Sequence, residues 1–248
     1  MISRNACEAA AVQRHRDNRL VPDEPLREEA IESRWEAAPA VLLVIAFQIL
    51  LAVVSQRQGW KLWHFPWWVW LVPVVPEVAL LVALAWDRPR RQLEQLGLRR
   101  EAALSLLALI SLGNALLLLA VIASLVRGDE KSGAQLLLKA FVVWGTNSMT
   151  YGLWFWALDR GGPVRRLQAD PPPPDWQFPQ MENPGLAEPG WRPHLFDYQY
   201  VSFTNSIAFS PTDAMPLTRR AKLLMLSEAA VSSVTILLVA ARAVNIFK

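Results

Sequence analysis

Long stretches without a charged residue are the feature that most limits the fold of this 248-residue chain. Ala37–Gln56, Ala102–Val126 and Ala140–Leu158 contain no Asp, Glu, Lys or Arg. A membrane-spanning helix needs about 20 mostly apolar residues in succession, and soluble cores rarely contain such runs. Charged residues are 19% of the chain and concentrate between these stretches. The pattern predicts a membrane protein and excludes a soluble enzyme, a disordered tail protein and a disulfide scaffold.

Five apolar segments are predicted to cross the bilayer, so the expected fold is an all-α, multi-pass membrane helical bundle. The predicted spans are Pro39–Ser55, Phe65–Trp86, Ala102–Val126, Leu136–Leu158 and Ala221–Phe247. The chain divides accordingly into a polar segment at 1–36, a three-span region at 37–135 and a C-terminal region at 136–248. The polar segment is either a solvated tail or includes a short surface helix at Leu26–Trp35.

Two of the predicted spans contain polar side chains. Glu77 lies in the second span, where an ionised carboxylate is costly, so we expect it to be protonated or hydrogen-bonded to another helix. Asn147 and Tyr151 share one face of the fourth span with Trp154, and this face should point to protein or a cavity. The second span is also expected to kink at its prolines, Pro66, Pro73 and Pro76.

A polar stripe runs along the last predicted span, where Glu228, Ser232 and Thr235 are spaced at i, i+4 and i+7. The stripe has two interpretations. It faces a pore or a neighbouring helix, or its hydroxyls bond back to their own helix while Glu228 pairs with nearby cations. The candidate cations are Arg219, Arg220 and Lys222.

A short uncharged segment, Tyr198–Thr212, follows a proline-rich loop at 159–197 and precedes the last span at 219–247. It is too short to cross a bilayer. The segment at 198–213 is therefore either a re-entrant half-helix with its loop or an amphipathic segment on the surface, since irregular backbone at membrane depth needs protein or water around it. In the re-entrant form, Phe203 and Phe209 are expected to be buried.

The sequence from Tyr200 to Ile246 resembles the pore region of two-span bacterial potassium channels. In that family a pore helix of the form YFSFTT leads to the filter TVGYGD, then to a proline and an inner helix. Here Ser202-Phe203-Thr204 match the pore helix, Asp213 matches the closing aspartate and Pro216 the proline. The fourth span corresponds to the outer helix, and the resemblance covers about 136–247. A group of bacterial integral membrane proteins shares this ending.

The potassium filter itself is lost in this chain. Ala208, Phe209, Ser210, Pro211 and Thr212 occupy the filter positions, and both glycines are absent. Stacked carbonyl rings need conformations that glycine permits, whereas proline fixes φ near −65°. The resemblance implies a pore loop without potassium selectivity, formed by Thr204, Asn205, Ser206, Ile207, Ala208, Phe209, Ser210, Pro211, Thr212 and Asp213. Asp213 is expected to cap the loop or to pair with Arg219.

Two functions lead the interpretation, in no fixed order. One is an ion-channel-like protein that is not selective for potassium, and the other is a non-conducting membrane scaffold or accessory subunit that retains the pore-module fold. The resemblance implies a homo-oligomer, a tetramer if it holds, in the bacterial plasma membrane. A membrane enzyme or transporter ranks third, because His15, His64 and His194 lie in separate segments and no catalytic motif occurs. We expect no metal, no cofactor and no nucleic-acid partner, and the ion or solute stays open.

Membrane orientation has two conflicting indications. Arg88, Arg90, Arg91, Arg99 and Arg100 favour a cytoplasmic N-terminus and a cytoplasmic 159–218 loop. The channel resemblance favours the opposite, because the filter loop of a potassium channel is outside. We give the charge distribution slightly more weight, since the filter chemistry is lost.

Overall fold

The computed structural model describes residues 24–59, 66–127, 133–168, 170–210 and 213–246. Helices dominate these residues. The α-helices are α1 (Glu24–Gln58), α2 (Val74–Ala85), α3 (Asp87–Gln95), α4 (Arg99–Arg127), α5 (Gly133–Leu158), α6 (Pro179–Glu182), α7 (Leu195–Ala208) and α8 (Arg219–Ile246). Turns of 3₁₀ helix lie at Trp67–Leu71, Asp159–Gly161, Arg165–Leu167 and Pro184–Leu186. Two short antiparallel strands complete the fold, β1 (Trp176–Gln177) and β2 (Met215–Pro216).

Four helical segments in the described part of the chain are long and apolar enough to cross a membrane. They are Glu36–Gln58, Trp67–Ala85, Arg99–Arg127 and Arg219–Ala241. These segments correspond to the first, second, third and fifth predicted spans. Helix α5 has 26 residues and matches the fourth, but it is outside this set because polar residues such as Asn147 interrupt its centre. The chain is therefore a helical membrane protein, and four helices of its described residues qualify as spans by length and composition.

Two predicted details of the first two segments can be compared with the backbone. Helix α1 begins at Glu24, so Leu26–Trp35 continue directly into the first apolar segment and form neither a tail nor a separate helix. The second segment is interrupted where the proline kink was expected. A 3₁₀ turn ends at Leu71, and α2 starts after Pro73.

Helix α5 lies at the centre of the bundle and contacts α1, α4, α7 and α8. Toward the end of α5 the core contains Val44, Ile110 and Leu153, all at most 2% exposed. Toward its start the core contains Leu51 and Val142. Apolar side chains from α1, α4 and α5 thus fill the interior along the full length of the bundle.

Glu36 of α1 and the start of α8 lie at the end of the bundle where α5 ends. The Glu36 carboxylate accepts a hydrogen bond from the Leu195 backbone N–H, and His194 Nδ1 lies 3.7 Å from Glu36 Oε1. Arg220 Nη2 donates to the Leu158 carbonyl at 3.0 Å. Glu36 and the loop after α5 are therefore on the same side of the molecule.

Helix α7 runs alongside only part of α5, in the opposite direction. Gln199 Nε2 donates to the Met149 carbonyl at 3.0 Å, and the Phe203 and Trp144 rings meet edge to face with centroids 5.5 Å apart. A Cβ atom at Gly152 would lie 2.5 Å from Gln199, so glycine permits this close approach. Helix α7 ends at Phe209, whose backbone is left-handed with φ 55°. Its contacts thus extend from the end of α5 to about its middle.

Candidate functional site

Buried polar side chains join α5, α7 and α8 in a group that we call the Glu228 cluster. It comprises Asn147 from α5, Ser202 and Asn205 from α7, and Glu228 and Ser232 from α8. Each of these five residues is at most 3% exposed. Burying so many polar groups is favourable only when they hydrogen-bond to one another.

The Glu228 carboxylate is held by two donors from α7. Ser202 Oγ donates to Oε1, and Asn205 Nδ2 donates to Oε2 at 2.7 Å. Asn205 Nδ2 also donates to the Met225 carbonyl at 3.0 Å, so both of its N–H groups are used on α8. Ser202 Oγ lies 2.6 Å from the Ser148 carbonyl as well. The carboxylate therefore fastens α7 to α8, while Ser202 also reaches α5.

Helix α5 is tied to α8 by Asn147 and Tyr151. Asn147 Nδ2 contacts the Glu228 carbonyl at 3.1 Å and Ser232 Oγ at 3.0 Å. The Tyr151 hydroxyl is 2.8 Å from Ser227 Oγ. Both residues point to protein, as their position on the fourth span predicted. Trp154, placed on the same face, also points to protein but contacts a different helix, since its Nε1 donates to Ser111 Oγ of α4 at 3.0 Å.

The residues of the polar stripe on the last span do not all follow the same one of the two interpretations given for it. Glu228 and Ser232 face α5 and α7, whereas Thr235 Oγ1 bonds back to the Val231 carbonyl at 2.8 Å. The expected pairing of Glu228 with Arg219, Arg220 or Lys222 is wrong. Glu228 is 0% exposed and its carboxylate is held by Ser202 and Asn205 of α7, about two helical turns from those cations.

The residues predicted for the pore loop do not form one surface. Asn205 and Ser206 are buried, and the Thr204 hydroxyl donates back toward the Tyr200 carbonyl at 2.9 Å. Asp213 is exposed and lies close to the Tyr200 phenol. The other exposed members are Ile207, Ala208, Phe209 and Ser210, while Pro211 and Thr212 lie outside the described residues.

The expected burial of Phe203 and Phe209 is wrong for a single chain. Their side chains are 43% and 46% exposed. Helices α5 and α8 bond to the polar side chains of α7, whereas nearly half of each phenylalanine side chain stays uncovered. The Trp144 ring of α5 covers part of Phe203.

Glu77 also satisfies its prediction. It is 0% exposed and accepts a hydrogen bond from Gln48 Nε2 of α1 at 3.1 Å. Hydrogen bonding to another helix is thus confirmed, and it links α1 to α2.

A second polar group, which we call the Asp159 clamp, was not found by sequence reasoning. Asp159 is 0% exposed at the end of α5. Its Oδ1 accepts the Asp175 N–H at 2.7 Å and the Trp176 N–H at 3.4 Å, and its Oδ2 accepts the Tyr198 hydroxyl at 2.6 Å. Burial raises the pKa of the Tyr198 phenol above its usual range, so this group remains a donor. The clamp fixes the start of α7 to the end of α5.

Two arginines complete the Asp159 clamp. Arg166 Nη1 donates to the Tyr198 oxygen at 2.6 Å, and Arg166 also donates to the Trp156 carbonyl. Arg220 Nη2 lies 2.6 Å from Asp175 Oδ2. No spacing in the sequence signals this arrangement, because its members are spread over five segments. The only sign of this group in the sequence is an aspartate, Asp159, directly after an apolar span.

The Glu228 cluster and the Asp159 clamp both hold helices together. Their carboxylates are occupied by protein donors. Among the residues that the structure describes, no group of three or more His, Cys, Asp or Glu side chains can hold a metal ion. No protein-family model, curated protein or solved structure matches the chain. Function is therefore argued from the chemistry of the chain itself.

Proposed function

We propose that this chain is a non-conducting membrane scaffold or accessory subunit whose C-terminal region keeps the arrangement of a pore module. The observation that carries the proposal is the Glu228 cluster. Its polar groups form hydrogen bonds between α5, α7 and α8, and they do not line a water-filled path. A conducting pore instead turns carbonyls or polar side chains toward the ion.

The surface that α7 and α8 leave open is apolar. Phe203 and Ile207 of α7 are 43% and 50% exposed, and Leu223 and Leu226 of α8 are each 66% exposed. Such a surface suits lipid or another protein, and it does not suit permeant ions. An apolar outer surface with an internally bonded interior is what a structural subunit needs.

The proposal includes five crossings and a re-entrant α7. Helix α5 crosses the whole bundle beside α1 and α4, which supports counting it as a span despite its polar centre. Helix α7 has 14 residues and is about 21 Å long, less than the roughly 30 Å of hydrocarbon. After α7 the chain returns to the same end, where the Leu217 N–H donates to the Asp175 carbonyl at 2.8 Å.

Cysteine labelling tests the five crossings. We expect cysteines introduced at Arg90 and Gln180 to lie on the cytoplasmic side in a Cys7→Ser background. An impermeant maleimide applied to intact cells should label neither, and it should label both after the membrane is opened. Labelling of one site alone in intact cells contradicts five crossings, and labelling of both reverses the orientation.

A flux assay tests the absence of conduction. Proteoliposomes containing the full chain should release potassium, sodium or chloride no faster than protein-free vesicles. A potassium channel in vesicles of the same lipid serves as the positive control. Protein-dependent flux of any of these ions would overturn the scaffold proposal.

A homo-oligomeric channel is the second candidate, and the exposed tip after α7 is the observation that favours it. Ile207, Phe209 and Ser210 are exposed in one chain, and a ring of chains could bring these tips together. In this case Ser210→Cys in the Cys7→Ser background should cross-link between copies with a short reagent. A monomer without cross-links removes this candidate.

A further inference from the structure

An open cleft lies between α1, α2, α4 and α5 at the end of the bundle where α5 ends. Its volume is about 540 Å³, within the roughly 300–1,000 Å³ typical of ligand sites. Neither the Glu228 cluster nor the Asp159 clamp lines it. Its walls therefore have no role in the function proposed above.

The inner wall of the cleft is almost entirely apolar. It is formed by Val41 of α1, Leu84 of α2, Leu107 of α4, and Leu153 and Trp156 of α5. A hydrocarbon chain gains favourable free energy on such a surface, and a polar solute does not. The inner part of the cleft thus favours an aliphatic group.

The mouth of the cleft is cationic. Arg99, Arg100 and Arg165 line it together with Gln168, and no acidic residue is among its lining residues in the described part of the chain. Arg165 lies over Gly161, whose φ of 80° allows the turn that follows α5. Guanidinium groups bind phosphate oxygens with two parallel hydrogen bonds. The mouth thus selects an anionic headgroup.

The position of the cleft suits a ligand with a polar end at the headgroups and an apolar part in the hydrocarbon of the bilayer. Its mouth lies where α4 begins and α5 ends, which is headgroup level if these helices cross the membrane. Basic pockets between helices on the cytoplasmic side are typical binding sites for anionic lipid headgroups. The charge distribution assigns this end to the cytoplasm.

We propose that the cleft binds one anionic phospholipid from the surrounding bilayer. Its phosphate contacts Arg100 and Arg165, and one acyl chain lies along the wall formed by Leu107 and Leu153. This site is independent of whether the protein conducts ions, so its failure would leave the scaffold proposal intact.

Native mass spectrometry of the full chain in a neutral detergent tests this site. The probes are phosphatidylglycerol, phosphatidylcholine with the same acyl chains, and glycerol phosphate. We expect one phosphatidylglycerol per chain, bound at least about tenfold more tightly than phosphatidylcholine, and no retention of glycerol phosphate. Each arginine should contribute about fivefold to the affinity.

Variants separate the headgroup site from the acyl site. Arg100→Gln with Arg165→Gln should weaken phosphatidylglycerol binding about 25-fold. Arg219→Gln is the matched control, because Arg219 is an exposed arginine at the start of α8 outside the cleft. Ala103→Trp should fill the cleft and displace the lipid while all three arginines remain. Circular dichroism of each variant checks that the helices are retained.

Three results with the lipids and the variants would overturn the proposal. They are equal binding of the two lipids, equal loss of binding in the Arg219→Gln control, and unchanged binding in Ala103→Trp. Retention of glycerol phosphate alone would also overturn it, since the site would then bind a free phosphate and not a lipid.

Discussion

The N-terminal helices and the C-terminal unit of α5, α7 and α8 are held together by different interactions. Apolar side chains dominate the contacts of α1, α2 and α4, and the hydrogen bond from Gln48 to Glu77 links α1 to α2. The C-terminal unit instead has the Glu228 cluster and the Asp159 clamp, which join its helices at two levels.

This difference has a physical consequence in lipid. Burial of apolar surface does not drive helices together in a membrane, because lipid tails are as apolar as the side chains. Hydrogen bonds between helices have direction and fix which residues must meet. We therefore expect substitutions of buried polar groups to damage the C-terminal unit more than the N-terminal helices.

The largest effect is expected for Asp159→Ala. Loss of this carboxylate leaves the Tyr198 hydroxyl and two backbone N–H groups without their acceptor, at a cost of about 3–5 kcal/mol in the free energy of unfolding. Denaturant unfolding in detergent measures it. Asp170→Ala, an exposed aspartate in the same loop, should change stability by less than about 0.5 kcal/mol. Equal effects would show that the clamp is not needed.

A smaller effect is expected for Glu228→Leu. Two hydrogen bonds to α7 disappear and leave Ser202 and Asn205 partly unsatisfied, which should cost about 1–3 kcal/mol. Glu228→Gln keeps one acceptor and should cost less than Glu228→Leu. Ser233→Ala is the control, since Ser233 only bonds back to the Ala229 carbonyl. If Glu228→Leu and Ser233→Ala change the free energy of unfolding equally, the Glu228 cluster does not determine how α5, α7 and α8 pack.

Phe203→Ala tests the exposed face of the C-terminal unit. Because the ring is 43% exposed, its loss should cost only about 1 kcal/mol. Phe155→Ala, at a ring with 0% exposure, should cost about 3–5 kcal/mol. Equal losses for the two variants, measured on protein in its native assembly, would mean that another chain covers Phe203 and would favour the oligomeric channel.

The smallest effect is expected for the double variant Gln48→Leu with Glu77→Leu. Replacing both partners of a buried pair with apolar residues is often neutral, so the free energy of unfolding should change by less than about 1 kcal/mol. Gln48→Leu alone should be worse than the double variant, because it leaves the buried carboxyl without its donor. If the double variant is less stable than Gln48→Leu alone, the N-terminal helices depend on their buried polar pair as the C-terminal unit depends on its own polar groups.

Local sequence signals predicted the helices well. The apolar segments at Glu36–Gln58, Arg99–Arg127 and Arg219–Ala241 were located to within a few residues, because a charge-free run of this length has few other stable environments. The interruption near Pro73 was also predictable, since proline removes a backbone donor. The inward direction of Asn147 followed from its position among apolar neighbours.

The partners of the polar groups were decided only by the tertiary structure. Asn147 and Ser232 are 85 residues apart in the sequence and meet because α5 and α8 cross at their centres. Periodicity places a side chain on a helix face, but it does not say which helix covers that face. Glu228 therefore had several possible partners in the sequence, and the packing of α7 selected Ser202 and Asn205. The same packing left Phe203 on the open side, which the sequence pattern had placed inside.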